Sequence, residues 1–420
     1  MIAKRADATW TLWGATLSPF ALKVEVLLRF AGLPVRWLPA QGRFPEALRF
    51  EWRRRQLVQR RVPLTWPRMD PLDEFPLVPF LFGPGGENLY DSSAIAVWLD
   101  ASGSTRAAPL LPASDPALHF VVQLVDEALD EVGLYLVHHN RWVVSARDND
   151  AGVRLAREFR PLLGPLAPAI ARSFPARQVR RLPYLFSVAP PGAAFADLPA
   201  RLRPPAPPGF PPTHALLDEA FAELLSALEV LLAAQPFLFG ERFTLADASV
   251  YGQLGMNRAD PSANARIRSA APSVHAWVER LARGDFSGHR PDGAIALRDA
   301  HAPLFAWVGA TFVPLMKQNY DAWQQHVARG ETRFNERGFN AGRALYDGVL
   351  RGQPFRSVAK TFQVRVWQDL RRAWDTLASA ARARIEALLP SDVGLDRDGK
   401  GPDDSSPPPL RCASRASVLL

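Results

Sequence analysis

The residue pattern predicts a small mixed α/β domain followed by an all-helical domain that carries a helical extension. Three observations predict it. The chain opens with a strand, helix, strand unit; a second pair of strands and a helix follow; and from residue 115 onward long helical patterns alternate with proline-rich connections.

Trp10-Thr11-Leu12-Trp13 reads as a short strand. Phe20 to Phe30, with Val24, Leu27, Leu28 and Ala31 at helical spacing, reads as an amphipathic helix that Gly32 stops. Val35 to Leu38 forms the second strand, and a crossover of this kind implies a parallel pair. Residues 39 to 74 make a long arginine- and proline-rich connection with a candidate helix from Pro45 to Gln59. The runs Leu77 to Phe82 and Asn88 to Tyr90 flank Gly83-Pro84-Gly85-Gly86, which is a hairpin signal, and a helix begins near Ser92 and ends at Gly103. Downstream, helices are predicted from Asp115 to about Val144, from Thr213 to Ala234, and through a third section spanning 298 to 389. Pro190 to Pro212 is so rich in proline that it reads as loop or extended chain, and residues 391–420 are predicted disordered.

Composition narrows the function. Hydrophobic content of 48% with 22% charged residues is that of an ordinary globular protein. The formal net charge of +8 is spread thinly, and its densest runs, Arg53-Arg54-Arg55 with Arg60-Arg61 and Arg177 with Arg180-Arg181, sit in no nucleic-acid motif. They read as solvated arginine, and no nucleic-acid partner is expected. The single cysteine, Cys412, leaves no internal disulfide and no cysteine metal cluster, which fits a reducing compartment. Residues 1–9 lack a signal-peptide pattern, and the longest apolar stretch, Pro303 to Met316, is shorter than the ~20 residues a spanning helix needs. A soluble, cytoplasmic protein with no transmembrane segment is expected.

Three short segments carry candidate chemistry. Ser18-Pro19-Phe20 lies between the first strand and first helix, where serine at the N-cap and proline at N1 are favoured locally. The same geometry stabilises an anion, and a hydroxyl there can donate to a thiolate and lower its pKa. Phe75-Pro76-Leu77-Val78-Pro79-Phe80-Leu81 enters a strand through proline; either it is an edge, or a cis Val78-Pro79 bond turns the Val78 backbone toward a ligand. Asp91-Ser92-Ser93-Ala94-Ile95 opens the next helix, where Asp91 or Ser92 caps it, and where Asp91 can pair with an ammonium while Ser92 receives a carboxylate.

Taken in order, these segments resemble the N-terminal domain of glutathione S-transferases over about residues 10–102. Pro236-Phe237-Leu238-Phe239-Gly240-Glu241-Arg242-Phe243-Thr244-Leu245-Ala246-Asp247-Ala248 is similar to the core of that family's helical domain, with Thr244 and Asp247 spaced as a structural capping box, and Ala271 to Leu281 is similar to the helix after it. The resemblance implies a thioredoxin-like N-terminal domain and an all-α glutathione transferase-type C-terminal domain with a helical extension. The divisions it implies are 8–102 for glutathione binding, 112–289 for the helical domain with an expanded 140–213 connection, 290–390 for the extension, and 391–420 for a disordered tail. It further implies Ser18 as the thiol-activating residue, Val78 and Pro79 as backbone partners of the cysteinyl unit, and Asp91 and Ser92 as holders of the γ-glutamyl group. Trp13 and Phe20 would line the pocket of a small apolar electrophile, with glutathione as co-substrate, no metal, and a homodimer as a candidate assembly. Whether Ser18 or Thr16 faces the thiol stays open.

The long 39–74 and 140–213 connections and everything after residue 290 depart from that pattern. The long helical domain, and Phe237-Leu238-Phe239-Gly240 followed by Thr244-Leu245-Ala246-Asp247, also look like the metaxin and failed-axon-connections branch, which implies the alternative of a non-catalytic interaction module that uses the extension. Asp126, Glu127, Asp130 and Glu131, with His138 and His139, have the spacing of a helical metal site but no Glu-x-x-His partner, and read as a solvated acidic face. Phe355, Val358, Phe362, Val366, Leu370, Trp374 and Leu377 share helical spacing and read as the core stripe of a C-terminal helix.

Overall fold

The computed structural model describes residues 9–74, 77–103, 108–193 and 195–389. The tail of residues 391–420 with Cys412, and Phe75-Pro76, lie outside the described residues.

Alternation of apolar residues draws β1 (Trp10–Trp13) into the middle of a four-stranded sheet. It pairs in parallel with β2 (Val35–Leu38) after the crossover helix α1 (Pro19–Phe30). Helix α2 (Phe44–Val58) occupies the long connection. The sheet is completed by β3 (Phe80–Phe82), antiparallel to β1, and β4 (Asn88–Tyr90), antiparallel to β3, giving the order β2-β1-β3-β4. The strand expected from Leu77 starts only at Phe80, because Pro79 has no N–H to give a ladder; the Val78-Pro79 bond is cis. Helix α3 (Ser92–Ala101) follows with Asp91 as its cap.

Helix α4 (Pro116–Ala128), capped by Asp115, continues without a break through a π-helical turn (Leu129–Gly133), α5 (Leu134–His139) and a second π-turn (Asn140–Val144). The rod therefore ends where the apolar pattern ends, but its two wide turns are invisible in the sequence. The expanded connection folds into a helix pair, α6 (Ala151–Leu163) and α7 (Ala167–Arg180), with its own small core of Leu155, Phe159, Ile170 and Val179. Helices α8 (His214–Ala234), α9 (Leu245–Met256), α10 (Pro261–Ala270) and α11 (Pro272–Ala282) complete the helical domain. Helix α9 is buried on every side, and Asp247 fixes its start by accepting from the Leu238 and Thr244 amides (2.8 and 2.9 Å) and the Thr244 hydroxyl (2.7 Å). Helix α1 packs against α9, so the two domains share one continuous hydrophobic core.

The extension contains α12 (Ala302–Ala310), α13 (Phe312–Ala328) and α14 (Asn335–Asn340), then a β-hairpin, then α15 (Thr361–Thr376) and α16 (Ser379–Glu386). The hairpin, β5 (Leu345–Leu350) and β6 (Gln353–Val358), corrects the expectation of helix alone after residue 115. Its cause is local. Arg351 and Gly352 both take positive φ (54° and 73°), the geometry of a two-residue hairpin loop, and Gly348 leaves room for the Phe355 ring opposite. Phe355 and Val358 are thus strand residues, and the core stripe of α15 begins only after Thr361.

The acidic face of the α4 rod is a second correction. Asp126, Asp130 and Glu131 are buried, because α9 packs along one flank of the rod, α15 covers another, and Lys23 of α1 reaches in between. The charge is met from within: the Lys23 ammonium reaches Asp126 (2.5 Å), Asp130 (2.6 Å) and the Ser93 hydroxyl (2.9 Å). No group of three or more His, Cys, Asp or Glu side chains among the described residues is arranged to hold a metal ion. No helix among the described residues is long and apolar enough to cross a membrane.

Candidate functional site

A cavity of about 130 Å³ lies between the two domains, with Phe20, Val78, Pro79, Asp91, Ser92 and Tyr90 on its N-domain side. Two chain reversals bring these residues together. Val78 and Pro79 precede β3, Asp91 and Ser92 follow β4, and the antiparallel pairing of Phe80 with Tyr90 places the two segments side by side. Asp91 caps α3 by accepting from the Ala94 amide at 2.9 Å, and does so with φ of 66°. A non-glycine residue held at positive φ is strain that the surroundings must impose, and such strain clusters at ligand sites. Ser92, the first residue of α3, is buried at the same wall, where the helix N-terminus favours negative charge.

The opposite wall comes from residues that the sequence marked for other roles, Asp130, Glu131 and Phe362, or did not mark at all. The α4 rod contributes Asp130, Glu131 and Tyr135; the loop before β3 contributes Asp73 and Glu74; and the extension contributes Lys360, Phe362, Gln363 and Arg365. Two buried asparagines hold the start of α15 in place. Asn319 accepts from the Lys360 amide (2.8 Å) and donates to its carbonyl (2.9 Å), while Asn335 does the same with the Thr361 amide and hydroxyl (both 2.9 Å). From there Lys360 reaches the Tyr135 hydroxyl and lies over the Tyr135 and Tyr184 rings, Gln363 donates to Glu131 (2.8 Å), and Arg365 pairs with Asp73 (2.8 Å). No local pattern announces these contacts; they join positions more than two hundred residues apart, and the lysine and arginine sit off the apolar stripe of the helix.

Carboxylates outnumber cations on these walls, and burial sets their protonation. Burial pushes Asp73 up to about 6, against the pull of Arg365, and Glu131 up to about 7, against its bond from Gln363 and the charge of Lys360. Burial likewise lowers Lys360 to about 8, opposed by Glu131 and Glu74. One Lys23 ammonium faces two carboxylates; burial disfavours its charge, yet Asp126 and Asp130 together hold its pKa above the ordinary value, and burial pushes Asp130 up to about 7.

These shifts predict an unusual pH dependence. Asp73, Asp130 and Glu131 bind protons more tightly folded than unfolded, so the stability they contribute is complete below their unfolded values and is lost as pH rises through about 6 to 7. Buried His138 and His214, both held down to about 3 by desolvation, push the other way up to about pH 6.5, because the unfolded imidazoles take up the protons. The carboxyl contribution is therefore read by difference: between about pH 5 and about pH 8 the parent should lose more of its urea midpoint than Glu131→Gln does. A gap between parent and variant that does not change with pH would show that Glu131 is ionised without cost.

The remaining expected site residues lie elsewhere. Ser18 caps α1, accepting from the Ala21 amide at 3.3 Å, and its side chain is not on the cavity wall. Thr16 turns away to α6, where its amide (3.0 Å) and hydroxyl both donate to Glu158. Trp13 does not line the cavity as expected: strand alternation sends it to the other face of the sheet, where it packs with Leu38, Phe80 and Phe82. Phe20 is on the wall.

Residues 17–102 match the glutathione S-transferase N-terminal domain, and residues 211–280 match the glutathione S-transferase C-terminal domain. A glutathione S-transferase from Methylobacterium radiotolerans, solved in complex with glutathione sulfonate, is 22% identical over 69% of this chain and 99% of that one, with a TM-score of 0.33. A glutathione S-transferase from Ceriporiopsis subvermispora, solved in complex with glutathione, is 17% identical over 66% and 96% of the two chains, with a TM-score of 0.38. No curated protein matches the chain. The two matched segments follow each other in the order sheet domain, then helical domain, and the residues between them hold the α4 rod and the α6–α7 pair.

Proposed function

We propose that this protein is a glutathione transferase-like enzyme that binds reduced glutathione at the interdomain cavity and transfers it to a small apolar electrophile. One observation carries the reading: Val78 and Pro79 before β3, and Asp91 and Ser92 at the start of α3, share one wall of one cavity. On this reading Asp91 pairs with the γ-glutamyl ammonium, Ser92 and the α3 N-terminus receive its carboxylate, and the Val78 backbone pairs with the cysteinyl unit. The Ser18 hydroxyl at the head of α1 stabilises the thiolate left when the thiol proton passes to solvent; the thiolate sulfur forms the new carbon–sulfur bond as the bond from that carbon to its leaving group breaks and the leaving group departs with the electron pair. A cytoplasmic setting and a homodimer belong to the same proposal.

The cavity volume decides what must move. About 130 Å³ is below the roughly 300 Å³ at which ligand pockets begin, so the tripeptide requires Arg365 to leave Asp73 and the head of α15 to shift outward. That closed roof, together with a Ser18 side chain off the wall, favours a second reading: a non-catalytic protein of this architecture.

Calorimetric titration with reduced glutathione, followed by conjugation to a model electrophile, tests the proposal. Ser92→Ala should weaken glutathione binding about ten-fold, the value of a hydrogen bond to a charged group, whereas Ser18→Ala should lower conjugation and leave binding nearly unchanged. Absence of binding at millimolar glutathione would overturn the enzyme and leave the second reading.

A further inference from the structure

We propose that the outward face of α2, with the adjoining end of α6, is a docking surface for an anionic lipid bilayer. Phe44, Leu48 and Trp52 are spaced four apart on α2 and point to solvent with 57%, 49% and 61% of their surface exposed. Large apolar side chains scattered singly are ordinary, but three in one stripe on a helix are not. Arginines surround them. Arg43 at the head of the helix and Arg49 along it are exposed, Arg60 and Arg61 are exposed just beyond its end, and Arg157 and Arg160 of α6 face Arg43 and Phe44 across a shallow groove.

The acidic residues of α2 do not offset this charge. Glu51 is buried, where Arg54 and Arg55 hold it, and Glu46 is paired with Arg36. Arg53 is spent internally, bonded to Asn88 (2.7 Å) and the Gly86 carbonyl (2.7 Å), so its position on the helix is structural. What remains outward is cation and hydrocarbon together, the composition of a helix that lies in a membrane interface.

Charge selects the occupant. A two-fold contact with a second copy would bring the same arginines face to face, at a repulsive cost. Nucleic acid would satisfy the arginines but gain nothing from Leu48 or from the exposed Leu166 beyond α6. An anionic bilayer satisfies both: headgroup phosphates meet the guanidinium groups, and the stripe enters the boundary of the acyl region.

Flotation of the full-length protein with vesicles tests this. Binding is expected to vesicles of phosphatidylcholine with phosphatidylglycerol and not to phosphatidylcholine alone, and to be lost in high salt. Arg49→Gln with Arg60→Gln should weaken it about 25-fold, at about five-fold for each arginine near the surface. Leu48→Ala with Trp52→Ala should weaken it about ten-fold or more while leaving glutathione titration unchanged. Equal binding to both vesicle types, anionic binding that the Leu48 and Trp52 changes do not alter, self-association that those changes abolish, or retention by duplex DNA in place of vesicles would each overturn the proposal.

Discussion

Replacing Lys23 with Ala is expected to lower folding stability by about 3–5 kcal/mol, the cost of breaking a buried ion pair by removing one partner. Lys23 lies on α1 and is 1% exposed, and its ammonium is shared by Asp126, Asp130 and Ser93 at the joint between the two domains. Without it, two carboxylates remain buried beside each other, and at least one must take up a proton or draw in water. The arrangement also makes a distinctive pattern among variants. Adding Asp126→Asn and Asp130→Asn to Lys23→Ala should recover part of the loss, because the buried charge goes with its partner. Urea unfolding of the single and triple variants measures this, and a single-variant loss below about 1 kcal/mol would mean that the cluster is solvated.

Arg141→Ala is expected to cost about as much, 3–5 kcal/mol by the same rule, and to reach further. Its guanidinium is 2% exposed and makes every bond inside the protein: Nε to both oxygens of Asp260 (2.9 Å each), Nη1 to the Leu17 carbonyl (3.0 Å) and Nη2 to the Met256 carbonyl (2.7 Å). Leu17 immediately precedes Ser18, so the same side chain fixes the turn that presents the head of α1. Arg141→Lys should rescue little, since an ammonium cannot reproduce the planar fork that serves Asp260 and two carbonyls at once. Chemical denaturation reads the stability, and glutathione titration of the variant at a temperature where it remains folded reads the effect on the turn. A lysine variant as stable as the parent would show that charge alone, and not fork geometry, holds this joint.

Both side chains show how differently the two kinds of information are distributed. Lys23 reads in the sequence as one more polar residue of an amphipathic helix, and Asp126 and Asp130 as a solvated acidic face. Only the packing of α1 against the α4 rod makes them one buried cluster. The hairpin of the extension was hidden for another reason. Phe355 and Val358 lie three residues apart and Val358 four before Phe362, a spacing that reads as helix, and the deciding element was the Arg351-Gly352 turn with its two positive φ values.

The cavity divides along the same line. Its N-domain wall was legible, because Val78-Pro79 and Asp91-Ser92 each carry a local backbone device, a proline at a strand entry and a helix cap, whose chemistry depends on neighbours a few residues away. Its other wall was not. Lys360, Gln363 and Arg365 owe their place to Asn319 and Asn335 clamping the head of α15, and to loops that return the extension to the first domain.

The sequence by itself determined the order of elements in the first domain and the helix caps at Ser18, Asp91, Asp115 and Thr244, because periodicity, caps and turns are properties of short segments. The tertiary structure alone decided which charges are buried, which wall the extension supplies and how small the cavity is. Burial and desolvation depend on what the rest of the chain places beside a residue, and that is encoded in no window around it.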